Sequence, residues 1–382
     1  MKRAVFLIRN IAPKSYGGGE RYQIELGKVL KANHYEPIIF TASEKLIEEA
    51  KNNQIKFVRA PYLKMQNWSS WRNILLPMYG LWQLKLQSWY KKQIKKYDPV
   101  VLNVQSRDEL IGATLAGLKC KKRIIWTDHA DFRTWSLINV DKRLKNQIGK
   151  WILRCAKKVY KIVMVNNHEK QALESLIKPL RLNNLVVIEN GVVDESRNFD
   201  GIKILKKSFC FIGRVVKDKG VMELVNAFKI VAEEHPDAIL NIYGDGNDIE
   251  ECKRLARGSN KINFLGYTKE PLRVMAQNEI FVLPSYHEGL SLALLEAAMM
   301  GKKIIATNID GNREVVKDGI TGFLVPIKNV EKLVDAMVMV LEDDKTTTTM
   351  SKNVREYYQE NFDLEKIFKE KMAKIYEAGK NE

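Results

Sequence analysis

Short apolar runs rich in valine, isoleucine and phenylalanine alternate with longer amphipathic stretches along this chain, and the alternation runs through twice. A strand buried on both faces reads as such a run, and each parallel strand needs a crossover, normally a helix, to reach the next. The first series predicts strands at Ala4–Ile8, Pro37–Thr41, Ile55–Arg59, Val100–Val104, Arg123–Thr127 and Lys161–Val165, with helices such as Glu20–Ala32 and Asp108–Leu118 between them. It ends near Val186–Asn190, at the turn signal Asn190-Gly191. A polar stretch, Val192–Lys207, reads as a linker. The second series predicts strands at Phe209–Ile212, Ile239–Tyr243, Ile262–Leu265, Ile280–Leu283, Lys303–Ala306 and Gly322–Val325. At 382 residues the chain exceeds one ordinary domain. The expected class is α/β, with two Rossmann-like doubly wound domains, residues 1–190 and 191–362, facing each other across a cleft. A C-terminal helix at about residues 363–382 is expected to pack back on the first domain.

Charge is distributed unevenly between the two series. Residues 1–190 hold 35 lysines and arginines against 15 acidic residues, while the remainder holds 28 against 31. All seven tryptophans lie between Trp68 and Trp151. A basic, aromatic half suggests an anionic partner for that half. Cys120, Cys155, Cys210 and Cys252 show no C-x-x-C spacing, so neither a zinc site nor a redox pair is suggested, and a reduced cytosolic chain is the simplest reading. No run approaches the ~20 apolar residues that cross a bilayer. The protein is expected to be soluble or peripheral.

Three motifs carry chemistry. Gly17-Gly18-Gly19-Glu20 stands between the first strand and a helix, where glycines allow close backbone approach and the helix start favours an anion. An ordinary strand-to-helix turn would read the same way. Next, Phe211-Ile212-Gly213-Arg214 leads to Lys219-Gly220, so that a forked guanidinium and a point-like ammonium stand five residues apart in one loop. Such a pair suits a diphosphate. Third, Pro284-Ser285-Tyr286-His287-Glu288-Gly289-Leu290-Ser291 runs from a buried strand into a helix carrying Glu296. The N–H groups of Gly289, Leu290 and Ser291 would form an uncapped helix start suited to phosphate. Glu296, amid Leu292, Leu294, Leu295, Ala297 and Ala298, needs a partner if buried, and a ribose diol would supply two hydrogen bonds.

Two glutamates separated by seven residues, with Glu-Gly-Leu at the first, resemble the E-x7-E signature of retaining glycosyltransferase family 4, whose members have the GT-B fold. The resemblance covers nearly the whole chain and is strongest over residues 188–326. It includes Ile188-Glu189-Asn190-Gly191-Val192, Tyr243-Gly244-Asp245-Gly246, Phe264-Leu265-Gly266-Tyr267 and the run from Gly311 to Phe323. The resemblance implies that Arg214 and Lys219 bind the donor diphosphate, Glu288 holds the donor sugar and Glu296 the ribose. It also implies that the Gly17–Gly19 loop approaches the diphosphate and that His129, in Trp126-Thr127-Asp128-His129, reaches the sugar. Where that pattern often has Asp directly after this histidine, Ala130 stands here before Asp131. The implied activity is transfer of a hexosyl group from a nucleotide sugar, by family frequency a UDP-sugar, with no cofactor or metal required. The implied acceptor is a lipid-linked saccharide in surface polysaccharide or glycolipid synthesis.

From Ala50 to Tyr97 there are ten basic residues and no acidic ones. Leu75, Tyr79, Trp82, Leu86 and Trp89 make one apolar face of a helix that also carries Lys85, Lys91, Lys92, Lys95 and Lys96. Basic residues beside Trp and Tyr suit an anionic membrane surface, which places the protein at the inner face of the cell membrane. A stripe of this kind packed on a sheet, with a solvated basic exterior, would read identically. A second basic stretch, Asp141–Lys161, favours the membrane. Two other readings compete. A nucleotide-sugar epimerase of the same architecture leaves Glu-Gly-Leu with Glu296 unexplained. A nucleic-acid-binding protein would use the basic half, but no helix-turn-helix, finger or RNA-recognition signature is present, so nucleic acid is not expected as a partner.

Overall fold

The structure is a computed structural model that describes residues 3–14, 17–63, 75–129, 144–165, 170–171, 173–174 and 182–377. Trp68, Trp71, Ala130, Asp131, Lys142 and Arg143 lie outside the described residues. The chain divides into two compact units, Met1–Asn190 with Leu364–Glu382, and Gly191–Asp363.

The N-terminal unit holds a parallel sheet of seven described strands: β1 (Arg3–Ile8), β2 (Tyr35–Thr41), β3 (Lys56–Arg59), β4 (Val101–Val104), β5 (Arg123–Asp128), β6 (Lys161–Met164) and β7 (Leu185–Val187). Their order is β3-β2-β1-β4-β5-β6-β7. Val5 to Ile8 are wholly buried because helices cover both faces of the central strands. Phe6 of β1 meets Phe40 of β2 with ring centroids 4.4 Å apart. Full burial of each such side chain contributes about 2–3 kcal/mol. The helix Leu75–Tyr97 lies against Leu110–Lys119, and Gln83 Oε1 accepts from the Gly112 N–H at 2.9 Å.

The returning segment Leu364–Tyr376, which contains a π-helical turn at Phe368–Met372, completes this unit. Asn103 of β4 donates to the Tyr376 hydroxyl at 2.5 Å and accepts from Thr127 of β5 at 2.9 Å. Arg123 donates to the carbonyls of Ile375 and Glu377. One buried side-chain amide, that of Asn103, would be costly to leave unpaired in the interior, and its N–H is answered by Tyr376 of this returning segment.

The C-terminal unit holds six parallel strands: β8 (Leu205–Ile212), β9 (Ile239–Tyr243), β10 (Ile262–Gly266), β11 (Asn278–Leu283), β12 (Lys303–Thr307) and β13 (Phe323–Val325), ordered β10-β9-β8-β11-β12-β13. Phe209, Phe211 and Phe281 fill its centre. The polar stretch Val192–Lys207 is not the free linker expected from sequence. Val192 is buried and its carbonyl accepts from Tyr358 Oη at 2.8 Å, while Asp194 pairs with Arg355 at 2.5 Å. Ser196–Phe199 forms a 3-10 turn, and β8 already begins at Leu205.

Two glycines hold the loops of this sheet together. Gly220 has φ +65 and backs onto the Pro284 carbonyl; Gly244 has φ +147 and backs onto the Gly213 carbonyl. A Cβ at either position would fall inside a carbonyl oxygen, besides the strain of the conformation itself. Gly220→Ala and Gly244→Ala are each expected to lower unfolding stability by on the order of 2–4 kcal/mol. Gly258→Ala, with φ +86 but open space around it, is expected to cost about 1–2 kcal/mol. Urea unfolding followed by circular dichroism checks the ranking, and equal losses at all three positions would contradict it.

Candidate functional site

Each sheet reverses its strand order once, between β1 and β4 and between β8 and β11. At such a point the two connections leave toward opposite faces, and a crevice opens outside the C-terminal strand ends. The sequence motifs fall at these two places.

In the C-terminal unit, the loop after β8 carries Arg214 and Lys219, and the loop after β11 carries Glu288. The first is clamped by backbone bonds, from Gly213 N to Tyr243 O at 3.0 Å and from Val215 N to Asp245 O at 2.9 Å. The two loops are joined by Tyr286 N donating to Asp218 O at 2.8 Å. Lys219 Nζ forms an ion pair with Glu288 Oε1, which also accepts from Ser285 Oγ at 2.8 Å. The carbonyl of Ser285 is held in turn by Thr307 Oγ1 of β12 at 2.5 Å, and Asn312 Nδ2 donates to the Thr307 carbonyl at 2.9 Å. The structure thus brings Lys219 and Glu288 into contact and keeps Arg214 exposed in the same loop as Lys219.

Glu296 is 3% exposed on the helix Leu292–Met299 that follows the Glu288 loop. That helix start is not uncapped as expected. Ser291 is its N-cap, and its side-chain oxygen accepts from Leu294 N at 3.4 Å. Serine is among the favoured N-cap residues, and Ser291 satisfies the N–H of Leu294, not those of Gly289, Leu290 and Ser291 that were expected to meet phosphate. Gly289 and Leu290 precede it, and Leu290 is buried.

In the N-terminal unit, Gly17 is the N-cap of the helix Gly18–Ala32, with no side chain to cap it. The Arg9 guanidinium lies where a Cβ on Gly19 would be. Arg9 Nε donates to Glu20 Oε1 at 2.7 Å and its Nη1 to the Gln105 carbonyl at 2.8 Å. His129, just past β5, places Nε2 2.7 Å from Gln105 Oε1, and its ring centroid is 4.7 Å from that of Tyr22. Burial, then the charge of Arg9, push the His129 imidazole down to about 3, against the opposing effect of Asn190. Nearby, burial pushes the Glu109 carboxyl up to about 7, although Asn10 donates to it at 2.8 Å.

Arg9, Gln23, Gln105 and Glu109 were not singled out from sequence, and Glu20 and Asn190 entered only as members of motifs, without a role of their own. One signal was available. Arg9 follows β1 and Gln105 follows β4, so both stand directly after the two strands that flank the reversal.

The apolar stripe of the helix Leu75–Tyr97 faces inward. Tyr79 and Leu86 are buried, and Trp82 and Trp89 pack against the core, Trp89 with its ring 5.8 Å from Phe40. Trp82 and Trp89 are therefore partly buried side chains packed against the core, and not the outward, membrane-facing ones expected. Periodicity defines one apolar face and cannot say what covers it. The exposed face carries other apolar residues, Met78, Leu81 and Leu84, followed by Lys85, Lys91, Lys92, Lys95 and Lys96. Among the described residues no helix is long and apolar enough to cross a membrane.

Comparison with known proteins gives two adjoining family matches. Residues 16–196 match the family model Glycosyltransferase Family 4, and residues 192–357 match Glycosyl transferases group 1. The chain is 28% identical over 304 residues to the UDP-Gal:alpha-D-GlcNAc-diphosphoundecaprenol alpha-1,3-galactosyltransferase of Escherichia coli, covering 74% of this chain and 76% of the relative. In fold it is similar to a glycosyltransferase from Rickettsia africae, with TM-score 0.77, 22% identity and full coverage of both chains. It is also similar to Anabaena HepE solved in complex with UDP and glucose, with TM-score 0.72 and 16% identity over 99% of this chain and 100% of that one. These likenesses identify the two parallel-sheet units as the Rossmann-like domains of the GT-B fold.

The low proton affinity of His129 has a consequence for stability. Its folded value of about 3 lies below the ordinary 6.5, so the unfolded chain takes up a proton that the folded one refuses. That contribution is complete above pH 6.5 and is lost as pH falls toward 3. Urea titrations at pH 7.5 and pH 5 are expected to show a smaller loss on acidification for His129→Gln than for the parent. An equal loss in both would contradict the buried neutral state.

Proposed function

We propose that this chain, which belongs to glycosyltransferase family 4, moves a hexosyl group with retention from a UDP-sugar to a hydroxyl of a lipid-linked saccharide during surface polysaccharide or glycolipid synthesis. The observation that carries the reading is the Lys219–Glu288 pair at the β8/β11 reversal, with Arg214 exposed in the same loop and Glu296 buried on the next helix. The named activity of the Escherichia coli relative supports the donor and acceptor classes, since that enzyme uses UDP-Gal and a diphosphoundecaprenol-linked sugar.

The chemistry follows from where charge develops. The bond between the anomeric carbon and the β-phosphate oxygen breaks, leaving positive charge on the sugar ring and an additional negative charge on the diphosphate. Arg214 and Lys219 are cations already in place for that charge, and preorganised groups of this kind need no reorganisation at the moment of reaction. A diphosphate takes the Lys219 ammonium from Glu288 or shares it, and the carboxylate so released accepts from donor sugar hydroxyls. The acceptor oxygen bonds to the anomeric carbon on the face the phosphate leaves, and its proton passes to the departing phosphate oxygen. Glu296 holds the ribose diol. His129 and the Gly17–Gly19 run keep the donor roles that the family resemblance gives them.

We further infer that the protein rests on an anionic membrane through the exposed face of the helix Leu75–Tyr97. Met78, Leu81 and Leu84 are 54%, 67% and 58% exposed. The lysines follow in the next turns of the same helix. Apolar insertion beside basic headgroup contacts is the pattern of an interfacial helix. Each lysine near an anionic surface contributes roughly 1 kcal/mol.

Lys219→Ala and Glu296→Ala are each expected to lower turnover of the accepted UDP-sugar by about 100-fold or more, with unchanged circular dichroism. Near-normal turnover in a folded Lys219→Ala variant would remove its role. Separately, replacing Lys91, Lys92, Lys95 and Lys96 by Gln is expected to weaken cosedimentation with phosphatidylglycerol vesicles by at least roughly tenfold. Unchanged sedimentation would remove the membrane contact and leave the transferase reading intact.

A further inference from the structure

The polar cluster of the N-terminal unit contains a chain of hydrogen bonds whose directions can be worked out in order. The Gly19 carbonyl oxygen can only accept, so Gln23, 3.1 Å away, must turn its amide nitrogen toward it. That nitrogen has a second hydrogen, which goes to Gln105 Oε1 at 2.5 Å. The orientation of the Gln105 amide is thereby fixed as well. Its oxygen stands 2.7 Å from His129 Nε2 and can only accept there too. A neutral imidazole carries one hydrogen, and here it must sit on Nε2. Nδ1 is left with a lone pair.

That lone pair meets no hydrogen-bond donor among the described residues, although Nδ1 is buried. Asn190 Oδ1 is buried and makes no hydrogen bond among the described residues either, although its side chain lies near enough to the ring to favour the protonated imidazole. Buried polar groups without partners are costly: Gln105 Nε2 here calls for an acceptor, whereas Nδ1 and Asn190 Oδ1 call for a group that brings donors. Phosphate oxygens on a diphosphate ester bring none at neutral pH. Sugar hydroxyls do.

We infer that Gln23 and Gln105 are positioning residues that hold His129 in its Nε2–H tautomer, so that Nδ1 accepts from a hydroxyl of the bound ligand and not from any phosphate. The ligand's identity as a saccharide rests on the proposed transferase function; the tautomer does not. The chain begins at the carbonyl of Gly19, so the glycine turn and the histidine are set by one relay across three side chains.

The experiment uses the full chain labelled with 15N-histidine, with His129→Gln to assign the signal. His129 is expected to show a protonated Nε2 and a bare Nδ1 between pH 6 and pH 8. In Gln105→Leu, which lacks the accepting oxygen, a mixture of tautomers is expected, with kcat lowered at least tenfold and KM for the nucleotide sugar little changed. Gln105→Glu keeps an acceptor at the same place and restores the tautomer, but its carboxylate raises the proton affinity of the ring. Its turnover is therefore expected to approach the parent's at alkaline pH and to fall away below neutrality, an acid limb the parent lacks. A protonated Nδ1 in the parent, an unchanged tautomer in Gln105→Leu, or a pH-independent loss in Gln105→Glu would each overturn the inference. If Gln105→Leu does not fold, the parent spectrum and the Gln105→Glu profile still decide. Absence of sugar transfer together with the expected parent spectrum would instead sink the transferase reading and leave the tautomer standing.

Discussion

Parallel pairing is the constraint on which both halves of this molecule depend. Strands that all point one way cannot be joined by hairpins, so every connection must cross a face of the sheet, and every crossing loop emerges at the same C-terminal edge. Where the order turns back, between β1 and β4 and between β8 and β11, two neighbouring strands send their loops apart. The side chains proposed to act stand at these places: Arg9 and Gln105 at one reversal, Lys219 and Glu288 at the other. Glycines are then required wherever one loop backs directly onto the carbonyls of another, as Gly220 does on Pro284.

The two crevices manage charge differently. In the C-terminal unit a half-buried lysine is compensated by a carboxylate that Ser285, Thr307 and Asn312 hold in sequence. An ion pair of this kind gains little in stability, because desolvation consumes much of the Coulombic attraction. In the proposed reaction its use would lie in exchange, since a polyanion can replace one monovalent carboxylate on the same ammonium. In the N-terminal unit the charged pair Arg9–Glu20 sits beside a histidine kept neutral by burial and by Arg9 itself. Polar groups there are fixed by direction of donation and not by net charge.

The class of fold was legible because strands buried on both faces leave uninterrupted apolar runs. Ile239–Tyr243 was read to the residue, and Ala4–Ile8 and Ile280–Leu283 came within two positions of β1 and β11. β7 was not read as a strand, since Leu185–Val187 is short and only half-buried. The segment after Asn190 looked like a linker because its polar residues find partners far along the chain, Arg355 among them. Lys219 and Glu288 could be picked out because charged residues beside glycines in strand-to-helix loops are conspicuous. Gln23 and Gln105 could not, because neutral amides 82 residues apart leave no periodic trace. The tryptophan stripe shows the same limit from another side. Its spacing was right, but a sheet and a bilayer make the same demand on an apolar face, and only the packing against Phe40 distinguishes them.

The bond from Asn103 to Tyr376 bears on how the protein is made. Ribosomes deliver the chain in order, and about 270 residues separate these two partners. The N-terminal sheet can therefore collapse early in synthesis, yet the Asn103 amide at its centre stays without this partner until the chain has been translated through the C-terminal unit to Tyr376. During that interval the nascent N-terminal half lacks one of its internal partners, and its final tightening waits on a segment made about 270 residues later.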